Sequence, residues 1–137
     1  AYNYRLTNLA AALGLGQIEQ CDYFIEQKRK LTDKYKAFFA DKDIEFFVEP
    51  ENCRSNYWLN AVILKDREER DAFLTYTNDN GVMTRPILVL NNKLDMYRGC
   101  QCGDLSNSQW LEDRVVNIPS TVIIPDYYEN IKKGLYK

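Results

Sequence analysis

Residues 6–40 read as one long helix whose two halves ask for different surroundings, and that demand limits the folds open to the chain. Thr7 or Asn8 suits the cap position, because a short side chain bearing oxygen accepts from the free amides of a first helical turn. The opening run Leu9-Ala-Ala-Ala-Leu-Gly-Leu is apolar or small all round. Such a face predicts burial on several sides and close approach by a neighbouring backbone, with a bend near Gly14–Gly16. From Cys21 the pattern changes. Cys21, Phe24, Leu31, Tyr35 and Phe38 recur at three- and four-residue steps, and Gln27, Lys28, Lys30, Asp33 and Lys34 mark the wet side. That stripe is read as core rather than as a cofactor surface.

Downstream, Ile44–Val48 predicts a short strand stopped by Pro50. Tyr57–Leu64 is aromatic and β-branched with little alternation, which predicts a central strand. Asp66 to Glu69 reads as a capping box opening a helix to about Asn78, with Phe73, Leu74 and Tyr76 inward and Asn80-Gly81 closing it. Val82–Thr84 is the next expected strand, closed by Arg85-Pro86. Leu88–Asp104 is irregular and rich in turn residues, as long functional connections are. Ser106 to Gln109 reads as a second capping box, and Val115–Ile118 as a strand stopped by Pro119. A final helix is expected from Pro125-Asp126, with Tyr127, Tyr128, Ile131 and Leu135. Trp58 and Trp110 are read as core anchors. The predicted class is α+β: a long N-terminal helix plus a small, mostly antiparallel sheet covered by helices.

Composition narrows the function. At 137 residues, with 45% hydrophobic and 28% charged side chains, the chain is large enough for one domain with a real core. Eighteen basic residues against twenty acidic ones leave no electrostatic footprint for nucleic acid. No apolar run reaches the length of a membrane span. The four cysteines, Cys21, Cys53, Cys100 and Cys102, lack disulfide-scaffold or zinc spacing, so they are read as reduced thiols in a cytoplasmic protein, and no metal site is expected. With no His, a self-contained Ser-His-Asp or Cys-His site is excluded. The chain opens without Met on a Tyr/Asn/Arg cluster, which sets the expectation of a piece of a larger protein.

Three segments, in order, carry a resemblance. Tyr2-Asn3-Tyr4-Arg5-Leu6-Thr7-Asn8 leads into Ala11-Ala12-Leu13-Gly14-Leu15 and Gln17. Gly81-Val82-Met83-Thr84-Arg85-Pro86 comes later. Leu105-Ser106-Asn107 with Trp110-Leu111, then Val116-Asn117-Ile118-Pro119-Ser120, closes the set. Together they resemble the PLP-dependent sugar aminotransferases of the DegT/DnrJ/EryC1/StrS family. The resemblance implies that residues 1–137 form the C-terminal, small domain of a fold-type-I PLP transferase, following a PLP-binding domain that lies outside this chain. It implies a homodimeric enzyme that passes an amino group, usually from glutamate, to a nucleotide-linked 4-keto sugar in surface glycan biosynthesis. The Schiff-base Lys would lie in the missing domain, so no catalytic residue is assigned, no covalent PLP is expected on this piece, and the piece alone is expected to be inactive.

By the same resemblance, Asn3 matches the residue that reaches the PLP phosphate of the partner subunit, with Tyr4 and Arg5 supporting it. An Asn amide donates to phosphate oxygen; the alternative is a turn Asn, and for Arg5 an ion pair. Arg85 presents a planar fork suited to a carboxylate or diphosphate; the alternative is a salt bridge at a strand end. Asn91 and Asn92 fall on the substrate loop, where many relatives carry His and Pro that this chain lacks near Asn92 and Asp95. Two other readings stay open: a PLP-dependent sugar dehydratase of the same family, and a non-catalytic α+β interaction module.

Overall fold

A computed structural model describes residues 5–122. Asn3, Tyr4 and the expected helix from Pro125 lie outside the described residues.

The leading run forms two helices, α1 (Asn8–Ile18) and α2 (Cys21–Phe39). Thr7 is the cap of α1, its hydroxyl accepting from the Ala10 amide at 3.2 Å. The break falls at Glu19–Gln20 rather than at the glycines. Gln20 leaves helical geometry at φ −107°, ψ 4°, and its amide turns back to the Gln17 carbonyl at 3.2 Å. Its side chain donates to the Gly16 carbonyl at 3.1 Å, taking up one of the acceptors that a helix end leaves over. The apolar residues of α1 are not buried as expected: Leu9 is 82% and Leu13 67% exposed.

Four short strands pair antiparallel in the order β1 (Glu45–Phe46), β2 (Asn60–Ile63), β4 (Val115–Ile118), β3 (Arg85–Pro86), giving the α+β fold the sequence predicts. The β2 strand is central, as its composition implied. Alternation sends Val62, Val116 and Ile118 to one face, where with Leu64 they meet Tyr35 and Phe39 of α2. Phe73 and Leu74 of α3 (Arg67–Asp79) complete that core with Ile44 and Phe46. Each well-buried aliphatic side chain there stabilises by about 1.5–3 kcal/mol.

Several local expectations shift by a residue or a face. The third strand begins at Arg85, not Val82, and includes Pro86, whose missing N–H is tolerated on an edge strand. Asp66 accepts from the Glu69 amide at 2.9 Å, but Glu69 reaches back to the Lys65 amide, at 2.8 Å, one residue beyond the cap. Gly81, at φ +78°, closes α3. The second capping box does not form. The helix α4 (Ser106–Glu112) is opened instead by Asp104, whose carboxylate accepts from the Ser106 amide and hydroxyl, both at 2.9 Å. Tyr76, Cys21 and Phe38 are exposed, and Trp58, expected in the core, is 73% exposed. Trp110 is partly exposed beneath the Arg114 guanidinium.

The buried residue of α2 is polar. Thr32 donates to Asn60 Oδ1 at 2.8 Å, and its hydroxyl also faces the Lys28 carbonyl at 3.0 Å. The Asn60 backbone amide and Nδ2 both donate to Ser120 Oγ, at 2.7 and 3.2 Å, and Ser120 donates to the Ile118 carbonyl. Lys28, expected on the wet side, donates to the carbonyls of Ser120 (2.8 Å) and Trp58 (3.2 Å). Its partial burial lowers its pKa.

A second polar anchor holds the loop between β1 and β2. Arg29 forks onto Glu49 (2.7 and 3.1 Å) and donates to the Ser55 carbonyl, while the Ser55 amide donates to Glu49. Tyr57 is buried with a left-handed backbone, φ +46°, a conformation unfavourable by about 1–3 kcal/mol for a bulky residue. It is held by the Glu49 amide donating to its hydroxyl and by Arg29 and Lys36 over its ring.

Two predictions follow from these anchors. Thr32→Val removes the donor to Asn60 and is expected to lower unfolding free energy by about 1–3 kcal/mol, read from the urea midpoint; an unchanged midpoint would deny the cluster its role. The Arg29 hydrogen bonds and the Ser55 amide hold the Glu49 carboxyl down at about 2. A depressed carboxylate stabilises the fold above its ordinary pKa and loses that contribution as pH falls toward the folded value. Acid-unfolding curves should therefore be shallower for Glu49→Gln than for the unaltered chain between about pH 4.5 and 2.

Candidate functional site

Arg85 stands on the edge strand β3, its Cα opposite Asn117 of β4. Neighbouring side chains on a strand point to opposite faces. Thr84 is buried, and Arg85 is exposed on the face away from Val62, Val116 and Ile118. Thr84 is tied to α3 by three contacts: its Oγ1 lies 2.6 Å from Thr77 Oγ1, and Asn78 Nδ2 donates to its Oγ1 (3.0 Å) and its carbonyl (3.1 Å). The Arg85 guanidinium approaches Met83 Sδ at 3.6 Å, and no carboxylate pairs with it among the described residues. The salt-bridge alternative is therefore not what the described residues form.

Asn91 opens a 3-10 turn, Asn91–Lys93, followed by a second at Asp95–Tyr97. Asn91 and Asn92 share a surface depression of about 250 Å³ with Tyr97, Cys100, Cys102 and Leu105. Asn92 Oδ1 is buried and meets no donor. Arg85 does not line this depression. Arg5 is exposed three residues before α1, beside the undescribed Asn3 and Tyr4.

Two residues that hold these groups in place were not singled out by sequence. Thr84 adjoins Arg85 in the Thr-Arg-Pro stretch, so adjacency was an available signal. Glu112 had none, because its partners, Leu90 and Lys93, lie 22 and 19 residues away. Lys93 holds the Glu112 carboxyl below the usual carboxylate range, with the Leu90 amide adding to the effect. A wider depression of about 770 Å³ runs along α2 past Asp22, Arg29 and Arg54, and contains none of the predicted site residues. Its charges are partly spent internally, as in the pairs Arg29–Glu49 and Lys30–Glu26. All four cysteines are free and exposed. Among the described residues there is no cluster of three metal-binding side chains, and no helix is long and apolar enough to cross a membrane.

A small antiparallel sheet backed by helices in this way is a fold shared with solved sugar aminotransferases. The putative sugar aminotransferase Spr1654 from Streptococcus pneumoniae, in its PLP form, superposes with a TM-score of 0.80 at 19% identity, covering 98% of this chain and 36% of that one. The Escherichia coli GDP-4-keto-6-deoxy-D-mannose-3-dehydratase with bound hydrated PLP superposes at 0.72 and 20% identity, covering 100% of this chain and 37% of that one. The model of the DegT/DnrJ/EryC1/StrS aminotransferase family matches residues 1–128, and the chain belongs to that family. The GDP-perosamine synthase of Vibrio cholerae is 34% identical over 125 residues, 88% of this chain and 34% of that enzyme. The chain thus spans about a third of that relative's length.

An exposed arginine without an ion pair contributes little to folding. Arg85→Ala should leave the urea midpoint within about 0.5 kcal/mol of the unaltered chain, whereas Thr84→Val should lower stability by about 1–3 kcal/mol. A large loss on Arg85→Ala would mark the side chain as structural.

Proposed function

We propose that residues 1–137 are the small, substrate-facing domain of a longer, homodimeric PLP-dependent enzyme. That enzyme moves an amino group from glutamate to a nucleotide-linked 4-keto sugar destined for a surface polysaccharide. The observation that carries the reading is the Arg85 guanidinium, which has no ion pair among the described residues and follows the anchored Thr84, in a chain whose family match runs from residue 1 to residue 128. The likeness to GDP-perosamine synthase supports a nucleotide sugar as the substrate class.

PLP, when bound, supplies the electron sink for the carbon that exchanges nitrogen. By the family resemblance, Asn3, with Tyr4 and Arg5 next to it in sequence, would hold the phosphate of the partner subunit's PLP, an amide being a suitable donor to phosphate oxygen. Arg85 binds the anionic part of the second ligand, a diphosphate or the carboxylate of glutamate, and orients it through a two-point fork that Lys does not offer. Asn91 and Asn92 border the sugar, their side-chain amides donating to its hydroxyl groups. The exposed leucines of α1 pack against the rest of the enzyme or the partner subunit, since an apolar helix of that kind is an interaction surface.

The second reading, dehydration of the same class of sugar, is favoured by the shared fold of the Escherichia coli dehydratase. Product analysis separates the two. The full-length protein, supplied with GDP-4-keto-6-deoxymannose and glutamate, is expected to form an amino sugar and 2-oxoglutarate; a deoxygenated sugar would support the dehydratase, and no turnover of any nucleotide-linked keto sugar would sink both. In the same protein Asn3→Ala is expected to weaken PLP retention by about 1–3 kcal/mol, measured by equilibrium dialysis.

A further inference from the structure

We infer that Glu112 is a positioning residue for the Asn91–Asn92 turn, its carboxylate clamping the residues on either side of the asparagine pair; this rests on the reading that the turn borders the sugar. The turn has little to hold it by itself. Its own backbone bonds are Lys93 to Leu90 at 2.9 Å and Leu94 to Asn91 at 3.0 Å, both local. One turn of 3-10 helix is weakly determined by such bonds alone. Asn92 also carries a buried acceptor with no donor, an arrangement that a free turn would relax by rotating.

From α4, Glu112 supplies the missing restraint. One carboxylate oxygen accepts from the Leu90 amide at 3.2 Å, immediately before the pair, and the other forms an ion pair with Lys93, immediately after it. The side chain of Glu112 is 11% exposed, so its carboxylate is shielded, while Lys93 reaches it from a side chain 43% exposed. Glu112 is itself fixed from behind. Its backbone carbonyl accepts from the buried Arg70 of α3, and Arg70 pairs with Asp71 at 2.6 Å. A continuous polar path therefore runs from α3 through α4 to the turn. The carboxylate is needed in full: an amide at this position keeps an acceptor for Leu90 but loses the charge that holds Lys93.

The test uses Glu112→Ala, Glu112→Gln and Lys93→Met. In the 137-residue chain, amide hydrogen exchange is followed at Leu90, at Asn91–Lys93 and, as a core reference, at Val62. Glu112→Ala should speed exchange at Leu90 and the turn about tenfold with Val62 unchanged. Glu112→Gln should restore protection at Leu90, and Lys93→Met should loosen the turn with Leu90 still protected. Unchanged exchange at the turn overturns the clamp, and so does acceleration of the turn and Val62 together, which would make Glu112 a residue of global stability. If Glu112→Ala does not fold, the other two variants decide by the same readout. In the full-length enzyme, with GDP-4-keto-6-deoxymannose as the probe, Glu112→Ala should raise KM about tenfold with a smaller effect on kcat, and Glu112→Gln should recover part of it. A loosened turn with unchanged KM overturns the positioning role while leaving the aminotransferase reading intact; a loosened turn in an enzyme inactive on every keto sugar overturns that reading too.

Discussion

Thr32 and Asn60 meet in the interior through one hydroxyl hydrogen, and Ser120 closes the contact from the other side. Without them α2 would lose its fully buried polar contact with the sheet and keep only apolar contact and less buried bonds. Apolar contact is non-directional and tolerates sliding. A buried amide tolerates none, because each displaced donor or acceptor loses its partner without gaining water. The cluster therefore fixes the axial position of α2 against β2 and the segment after β4. Lys28 and Tyr35 extend the same register, donating to the carbonyls of Ser120 and Pro119.

The rest of the chain follows a similar plan at lower burial. The sheet is small, with two of its strands only two residues long, so the ladder by itself restrains little. Polar side chains carry the difference. Arg29 and Glu49 hold the loop before β2, the Thr77–Thr84–Asn78 web holds the approach to β3, and Glu112 holds the turn after it. Each clamp joins a helix to an irregular segment. Irregular segments are where ligand-facing groups sit, and a rigid element must aim them.

That division of labour fits a domain that borders a site rather than one that encloses it. Arg85 and the Asn91–Asn92 turn are each anchored from a helix, yet Arg85 does not line the depression that the turn borders. The apolar side chains of α1 are equally exposed. Both observations belong to a family member that spans about a third of a curated relative's length.

The sequence by itself determined the class of fold, the family and a central strand within Tyr57–Leu64, of which the ladder takes Asn60–Ile63, because local periodicity, turn residues and ordered motifs are all written in short stretches. It marked Arg85 as closing a strand over Val82–Thr84, three residues early, since the ladder starts where β4 offers a partner and not where β-branched residues begin. Tertiary structure alone decided what long-range polar contacts decide. Thr32 carried no mark in the helical pattern, yet it is buried, because Asn60, 28 residues away, offers it an acceptor. Trp58 looked like core but is exposed, because the left-handed backbone at Tyr57, held by Glu49 and Arg29, turns the chain before it. Glu112 carried no local mark at all; its role exists only where α4 meets the turn that follows β3, and such encounters are set by packing rather than by spacing along the chain.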